Sequence, residues 1–385
     1  MSKIVFITNS EWNHRDEERF GIEIFRKYKM EVTVLDCTDI LRPQLRANFT
    51  PPDPLQTKYV DIIDNWNDLR DHLEKLSSNT VILPLLRAKS VFNLIQEFKL
   101  DSAVTFRGSL PPPIAQSKKE MFHKKFFRLL QSPYETIYKI KEKIHYELES
   151  FKSCPVKYFF YGAKRDWELF SKYRNIHTKC TALHALDYDI FLEQKKRLIT
   201  EDHIVFLDEF MPFHPEFTEI PLGLDPNMYY QKLENFFQYV EDTLSLPVVI
   251  AAHPRSNYLK YPDYFRDFQI IRGQACKLVR RSKLVLSHAS ASLSFPVIYK
   301  KPVLFLTNND IGRTRRAVSI FGMAKAFGKK PYNLDAHYKP DFDSELMVSN
   351  NHYRLYKENY IKIEGSPERP SWEIVAQTLL GKNVN

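Results

Sequence analysis

Two short stretches in the second half of the chain bring together residue types able to hold an anion. An apolar VVIAA run leads into His253-Pro254-Arg255. A histidine leaving a buried strand can donate to a phosphate or ribose oxygen, and Arg255 adds a fixed positive charge two residues on. Further along, LVL leads into Ser287-His288-Ala289-Ser290-Ala291-Ser292. Small hydroxyl residues opening a helix leave backbone N–H groups pointing outward, where the helix dipole favours negative charge. The pattern predicts Ser290 and Ser292 at the start of a helix over Ala291–Lys300, with Ser287 as a further hydroxyl donor and His253 across the same pocket. Plainer roles exist for both groups: one serine caps a helix, and a lone histidine can be satisfied by backbone inside a core.

Strands must deliver these groups to one place. Segments at about 203–207, 246–251, 268–271, 283–287 and 302–306 read as strands with helical segments between them. They end in Asp208-Glu209, in His253-Pro254-Arg255, in Arg272-Gly273, in the serine run and in Thr307-Asn308-Asn309. In open parallel sheets ligands bind beyond the carboxyl ends of the strands, so five polar exits in succession imply a cleft. The first half repeats the alternation: strands at Lys3–Thr8, Glu31–Asp36, Thr80–Pro84 and Ser102–Phe106 are separated by helical patterns over Glu18–Lys29, Trp66–Leu76 and Val91–Phe98. Val156–Tyr161 reads as a further strand, and Leu183–Asp189 leads into a short helix. Such alternation gives βαβ units and mainly parallel sheets. The expected fold is therefore α/β, with two Rossmann-like domains facing a cleft. The boundary is expected in the turn-rich stretch Lys195–Asp202, giving domains 1–195 and 196–385. Ser371–Leu380 is expected to be a helix that packs back on the first. The first-half exits (Asn9 to Glu18, Arg87, Arg107 to Ser109) should face the cleft opposite the pocket.

Composition excludes several classes. The chain has 385 residues and only ten glycines, well under half the usual share of about 7%. It contains neither G-x-G-x-x-G nor a P-loop; Gly322 to Lys330 is the nearest miss. Dinucleotide enzymes and P-loop NTPases are thereby disfavoured. The four cysteines (Cys37, Cys154, Cys180, Cys276) form no CxxC pair, which argues against a zinc site or disulfide framework. The net charge of +9 suits anionic partners such as nucleotides, phosphorylated glycans or an acidic membrane face. Basic and aromatic residues interleave over Gln116–Phe151, where an amphipathic helix with a basic solvent face is a better reading than specific nucleic-acid binding. The opening MSKIVFITNS lacks the apolar core of a signal peptide, and no apolar run approaches the ~18 residues of a membrane span. These features imply a cytoplasmic protein, with peripheral contact at an anionic membrane face.

VVIAAHPRS, the IIRG turn and LVLSHASASLSFPVIYKKPVLFL together resemble the nucleotide-binding domain of GT-B glycosyltransferases, over roughly residues 245–307. The likeness is greatest to bacterial sialyltransferase, polysialyltransferase and capsule-type enzymes, which carry an HP motif and a downstream serine motif. It implies that His253, Ser290 and Ser292 contact a cytidine nucleotide and its phosphate; the strand exits add Arg255, Gly273 and Ser287 as further donor-site candidates. It also implies transfer from a nucleotide sugar, a CMP-sugar first, to a glycan or glycolipid hydroxyl in surface polysaccharide synthesis. The alternatives are a UDP- or GDP-sugar donor, used for transfer or epimerisation, and a non-enzymatic nucleic-acid-binding protein. FLDEFMPFHPEF (206–217) resembles a segment of surface-carbohydrate proteins, without implying a role.

That family places its general base in a D/E-D/E-G motif, but here Asp16-Glu17-Glu18 runs into Arg19. A base is still needed, because an acceptor hydroxyl must lose its proton as it attacks the anomeric carbon. The candidates are Asp16, Glu17, Asp208 and His14, each of which could instead be a loop charge or a helix cap. No catalytic metal is expected. Asp187-Tyr188-Asp189 matches a D-x-D cation motif only in its spacing.

Overall fold

The computed structural model describes residues 2–48, 55, 57–114, 154–194, 201–214, 217 and 221–382. In the first half, β1 (Lys3–Thr8), β2 (Glu31–Asp36), β3 (Val60–Ile62), β4 (Thr80–Pro84), β5 (Asp101–Phe106), β6 (Tyr158–Tyr161) and β7 (Lys179–Ala182) pair in parallel. Their order is β3-β2-β1-β4-β5-β6-β7. The period-two alternation of strands fills two cores. Ile4 and Phe6 meet Val32, Val34, Val81 and Leu83 on one face, while Val5 and Ile7 meet Leu35 and Ile82 on the other. Because both faces are covered by helices, the strands read as nearly continuous apolar runs.

The second half repeats the design. Here β8 (His203–Leu207), β9 (Val248–Ala252), β10 (Gln269–Arg272), β11 (Ser282–Ser287), β12 (Val303–Thr307) and β13 (Tyr332–Asn333) form a parallel sheet ordered β10-β9-β8-β11-β12-β13. Its strands and helices share one large core. Each sheet therefore follows the doubly wound 3-2-1-4-5-6 order, reversing direction between β1 and β4 and between β8 and β11. The α/β fold with two Rossmann-like halves is established by these orders. The expected helices within 116–151, and most of the Lys195–Asp202 stretch, lie outside the described residues.

Two details differ from the sequence reading and bear on the site. The run expected as one helix over Glu18–Lys29 is two helices, His14–Arg19 and Ile22–Lys27, broken at Gly21. Gly21 has φ +64°, and a Cβ there would lie 2.5 Å from Trp372, so no other residue fits without displacing that ring. Trp372 opens the helix Ser371–Leu379, packs edge-on against Phe6 and Phe25, and donates its indole N–H to the Arg19 carbonyl at 2.8 Å. The C-terminal helix thus sits on the first sheet and braces the turn after β1. The loop after β5 crosses the other way. The Ile114 amide donates to the Val318 carbonyl at 3.0 Å, and Gly322 approaches Pro112 so closely that a Cβ would lie 2.3 Å from its oxygen.

Candidate functional site

At the reversal point of the second sheet, the exits of β8 and β11 are bound together by a buried ion pair. Glu209 accepts the Ala289 amide and the Arg316 guanidinium, and the same guanidinium donates to the Ala289 carbonyl at 3.0 Å. Burial pushes the Glu209 carboxyl up, but Arg316, His288 and the Ala289 amide outweigh it and hold the group below its usual range. His288 is a core histidine: its Nδ1–H donates to the Leu306 carbonyl at 2.8 Å, and its Nε2 accepts the Tyr229 hydroxyl at 3.1 Å. The loop between these anchors presents Ser290 and Ser292 at partial exposure; Ser287, expected as a third donor to the ligand, is instead fully buried beneath them, where its hydroxyl accepts the Ser290 amide.

The expected helix over Ala291–Lys300 begins as a 3-10 turn, Ala291–Leu293, and continues as the α-helix Ser294–Tyr299. Ser290 caps the turn, its side chain accepting the Ser292 amide at 3.3 Å, and its own amide donates to the Ser287 hydroxyl at 3.4 Å. Ser290 therefore has a capping role in the free protein. Its hydroxyl hydrogen is not used in that bond and is available to a ligand.

The β9 exit lies beside this loop across β8. The Arg255 amide donates to His253 Nδ1 at 3.1 Å, so Nδ1 carries no proton and Nε2 does. Burial, reinforced by His214, Arg15 and Arg255, pushes the His253 pKa down to about 3. The imidazole is consequently a neutral N–H donor at physiological pH. His214 packs edge-on against it at 4.6 Å between centroids, so His214 joins the site. Asp208 lies beneath. One oxygen accepts the Phe210 amide at 2.8 Å; the other accepts the Tyr258 hydroxyl at 2.9 Å and the His253 amide at 3.4 Å. Burial pushes its pKa up to about 6 against these bonds. Its lone pairs are spent on positioning the β9 exit. An unfolded histidine titrates near 6.5, so the unfolded chain takes up a proton that folded His253 refuses. Folding stability should fall as pH drops from about 6.5 towards 3. In denaturant titrations, His253→Gln should lose the part of that acid sensitivity that belongs to this ring.

The first sheet carries a cavity at its own reversal point, about 260 Å³ in volume, between the β1, β4 and β5 exits. Asp16 lines it, as do Asn9, Arg87, Arg107 and, from the second half, Arg255. Asn9 and the His253 loop thus share one cleft. Asp16 is buried, and burial raises its pKa against the pull of Arg15, Arg19, Arg255 and the Asn13 amide. Arg15 is pushed down to about 10 by burial and by Arg19, with Asp16 opposing and Arg255 adding to the fall. Glu17, one residue on, does not line the cavity: it accepts the Tyr59 hydroxyl and lies 3.5 Å from His14. Of the three expected carboxylates, Asp16 alone faces the cleft.

The remaining candidates fall outside this centre. Gly273 follows the edge strand β10 with φ +76° and open space around it, the geometry of a turn glycine. Asp187, half-buried, is hydrogen-bonded by Ser294, and Asp189 receives Arg107 at 3.1 Å and the Ser371 amide at 2.7 Å. Both carboxylates of the D-x-D match thus bind protein groups. No group of three or more metal-ligating side chains occurs among the described residues. Sequence reasoning missed Arg316, Tyr258 and His214. Arg316 stands in an arginine run that reads as solvated charge, and only a spatial partner distinguishes it.

No protein-family model matches the chain, and no curated protein matches it. Among solved structures it is similar to the S. aureus MnaA–UDP co-structure, at 13% identity and TM-score 0.48, covering 100% of this chain and 98% of that one. It is similar to Acinetobacter baumannii MurG at 8% identity and TM-score 0.47, covering 99% and 100%. Methanocaldococcus jannaschii UDP-GlcNAc 2-epimerase in complex with UDP-GlcNAc and UDP gives 12% identity and TM-score 0.41 over 92% and 98%. At such values the likeness says nothing of substrate.

Proposed function

We propose that the chain is a glycosyltransferase that takes a nucleotide-activated sugar in the second half and an acceptor hydroxyl in the first, with domains 1–195 and 196–385. The observation that carries this reading is that the reversal-point exits of the first sheet and Arg255 of the β9 exit line one cleft. A buried carboxylate with a raised pKa, Asp16, stands on one side. Arg255 and the neutral donor His253 stand on the other. In the proposed step the acceptor oxygen forms a bond to the anomeric carbon as that carbon's bond to the phosphate oxygen breaks. The hydroxyl proton passes to Asp16, and the departing phosphate keeps the electron pair. His253 Nε2–H, Arg255 and the Ser290 hydroxyl would receive the growing charge. The motif resemblance implies cytosine as the base, whereas the MnaA and 2-epimerase structures named above hold UDP. No helix among the described residues is long and apolar enough to cross a membrane.

A thermal-shift panel of CMP, UDP, GDP and their sugars tests the proposal, because a ligand bound only by the folded state raises its stability by mass action. At least one nucleotide should raise Tm, and which one does so names the base. Folded protein that no nucleotide stabilises would remove the reading. Loss of one neutral donor to an ionised ligand costs on the order of 1.5–3 kcal/mol. His253→Ala should therefore weaken nucleotide binding roughly tenfold to a hundredfold in calorimetric titration. Ser290→Ala should weaken it less, since backbone donors remain, and should also lower Tm through the lost cap.

A further inference from the structure

The cavity of the first sheet is lined by four arginines, Arg19, Arg87, Arg107 and Arg255, and among the described residues by one carboxylate, Asp16. One of the four is held by packing and an ion pair, and a second lies against two aromatic rings. Arg107 is buried at 6% exposure, with its guanidinium 4.2 Å from the Trp372 ring and one nitrogen 3.1 Å from Asp189. Arg87 lies over Phe170 at 4.3 Å and Phe106 at 5.3 Å. It makes no hydrogen bond to the described residues, so its guanidinium N–H groups have no acceptor among them while it lines the cavity. Burial and the neighbouring Arg19 push Arg107 down to about 10 against the pull of Asp189. The guanidinium groups are thus close enough to repel one another. Asp189 and Asp166 face Arg107, and Asp16 and Asp187 face Arg19, whereas Arg87 has no ion pair to the described residues and stands as the charge on the cavity wall that an anion can meet.

Size limits the occupant. A volume of about 260 Å³ falls short of the roughly 300–1,000 Å³ typical of sites that enclose a whole ligand. A single sugar unit with one charged substituent fits that volume, and the cavity is open on one side to whatever the unit is attached to. Arginine forks match the two oxygens of a carboxylate or phosphate, which a neutral hydroxyl cannot exploit. Hydroxyl-binding groups are there as well, in Asn9 and Ser10.

We infer that this cavity reads an anionic group, a carboxylate or a phosphate ester, on the sugar unit that accepts the transferred residue, with Arg87 and Arg107 holding it. The inference rests on the proposed function, because it makes the cavity the acceptor's side of the cleft. Asp16 on the same wall would then meet the hydroxyl of a unit oriented by its charge.

The test is calorimetric titration of the full chain with glucuronic acid, glucose 6-phosphate and glucose, with and without saturating UDP or CMP. At least one anionic sugar should bind tenfold or more tightly than glucose, and which one names the substituent. Arg87→Gln should remove most of that preference and Arg87→Lys should restore part of it. Arg87 is surface-exposed, so both variants should fold, as a nucleotide-induced Tm shift equal to wild type would show. Equal binding of glucose and the anionic sugars, or an Arg87→Gln variant with unchanged preference, would overturn the inference and leave the nucleotide result standing. Displacement of the anionic sugar by UDP or CMP would also overturn it, by giving the cavity to the donor. A protein that binds anionic sugars but no nucleotide would sink the proposed function instead.

Discussion

Asp16→Asn should lower transfer by about 10²–10⁴-fold, the usual worth of a positioned general base, and leave nucleotide affinity within about twofold of wild type. The side chain keeps its shape and loses only the ability to take a proton. Burial raises the Asp16 pKa, while Arg15, Arg19 and Arg255 keep it from rising further. The rate should therefore increase with pH through an apparent pKa above the ordinary carboxylate value of about 3.9, because only the ionised form accepts a proton. In Asp16→Asn that acid limb should vanish from the pH profile of kcat/KM. A variant that retained both the wild-type rate and the limb would assign the base elsewhere. Glu17 is the nearest alternative in sequence, but Tyr59 holds it outside the cavity.

Arg316→Ala should destabilise the second half by about 3–5 kcal/mol, because it strands a buried charge. Glu209 would keep its carboxylate and the Ala289 amide but lose the guanidinium that balances it. The matched variant Arg316→Met with Glu209→Gln should recover most of the loss, since it removes both charges together. Chemical denaturation reads both. Because Arg316 also holds the Ala289 carbonyl at 3.0 Å, the single variant should loosen the serine loop and weaken nucleotide binding. Equal stability of Arg316→Ala and wild type would show that the pair is incidental to the loop.

The fold was legible where the physics is local. Runs such as IVFIT, TVILP, VVIAA and VLFLT are buried on both faces of parallel sheets, so composition alone marks them. The edge strands were not legible. β3 has three residues, β13 has two, and β7 reads KCTA with its first two residues exposed. None is long or apolar enough to show a period. The break at Gly21 depends on Trp372, more than three hundred residues away in sequence, and no window near residue 21 contains it.

The site shows the same division. The carboxyl ends of the strands were legible because loops follow strands in order, which marked out His253 and the serines, whereas Asp16 was singled out by the acidic run Asp16-Glu17-Glu18. What each group does with its lone pairs was not. Asp208 and Glu209 are adjacent acids in the sequence, yet one anchors the β9 exit and the other the β11 exit. Ser290 spends its oxygen on a cap, and the D-x-D carboxylates meet Ser294, Arg107 and Ser371. Long-range partners decide these roles, and one sequence does not contain them. The four arginines of the cavity come from the first helix, two strand exits and the second half; only the fold collects them.

Hydrogen–deuterium exchange with and without the nucleotide that stabilises the fold tests the central claim most directly. Bound nucleotide should slow exchange of the amides at 253–256 and 288–294, and the protection at 253–256 should shrink in His253→Ala. Protection confined to the β1, β4 and β5 exits, with 253–256 and 288–294 unchanged, would place the nucleotide in the first half and contradict the account.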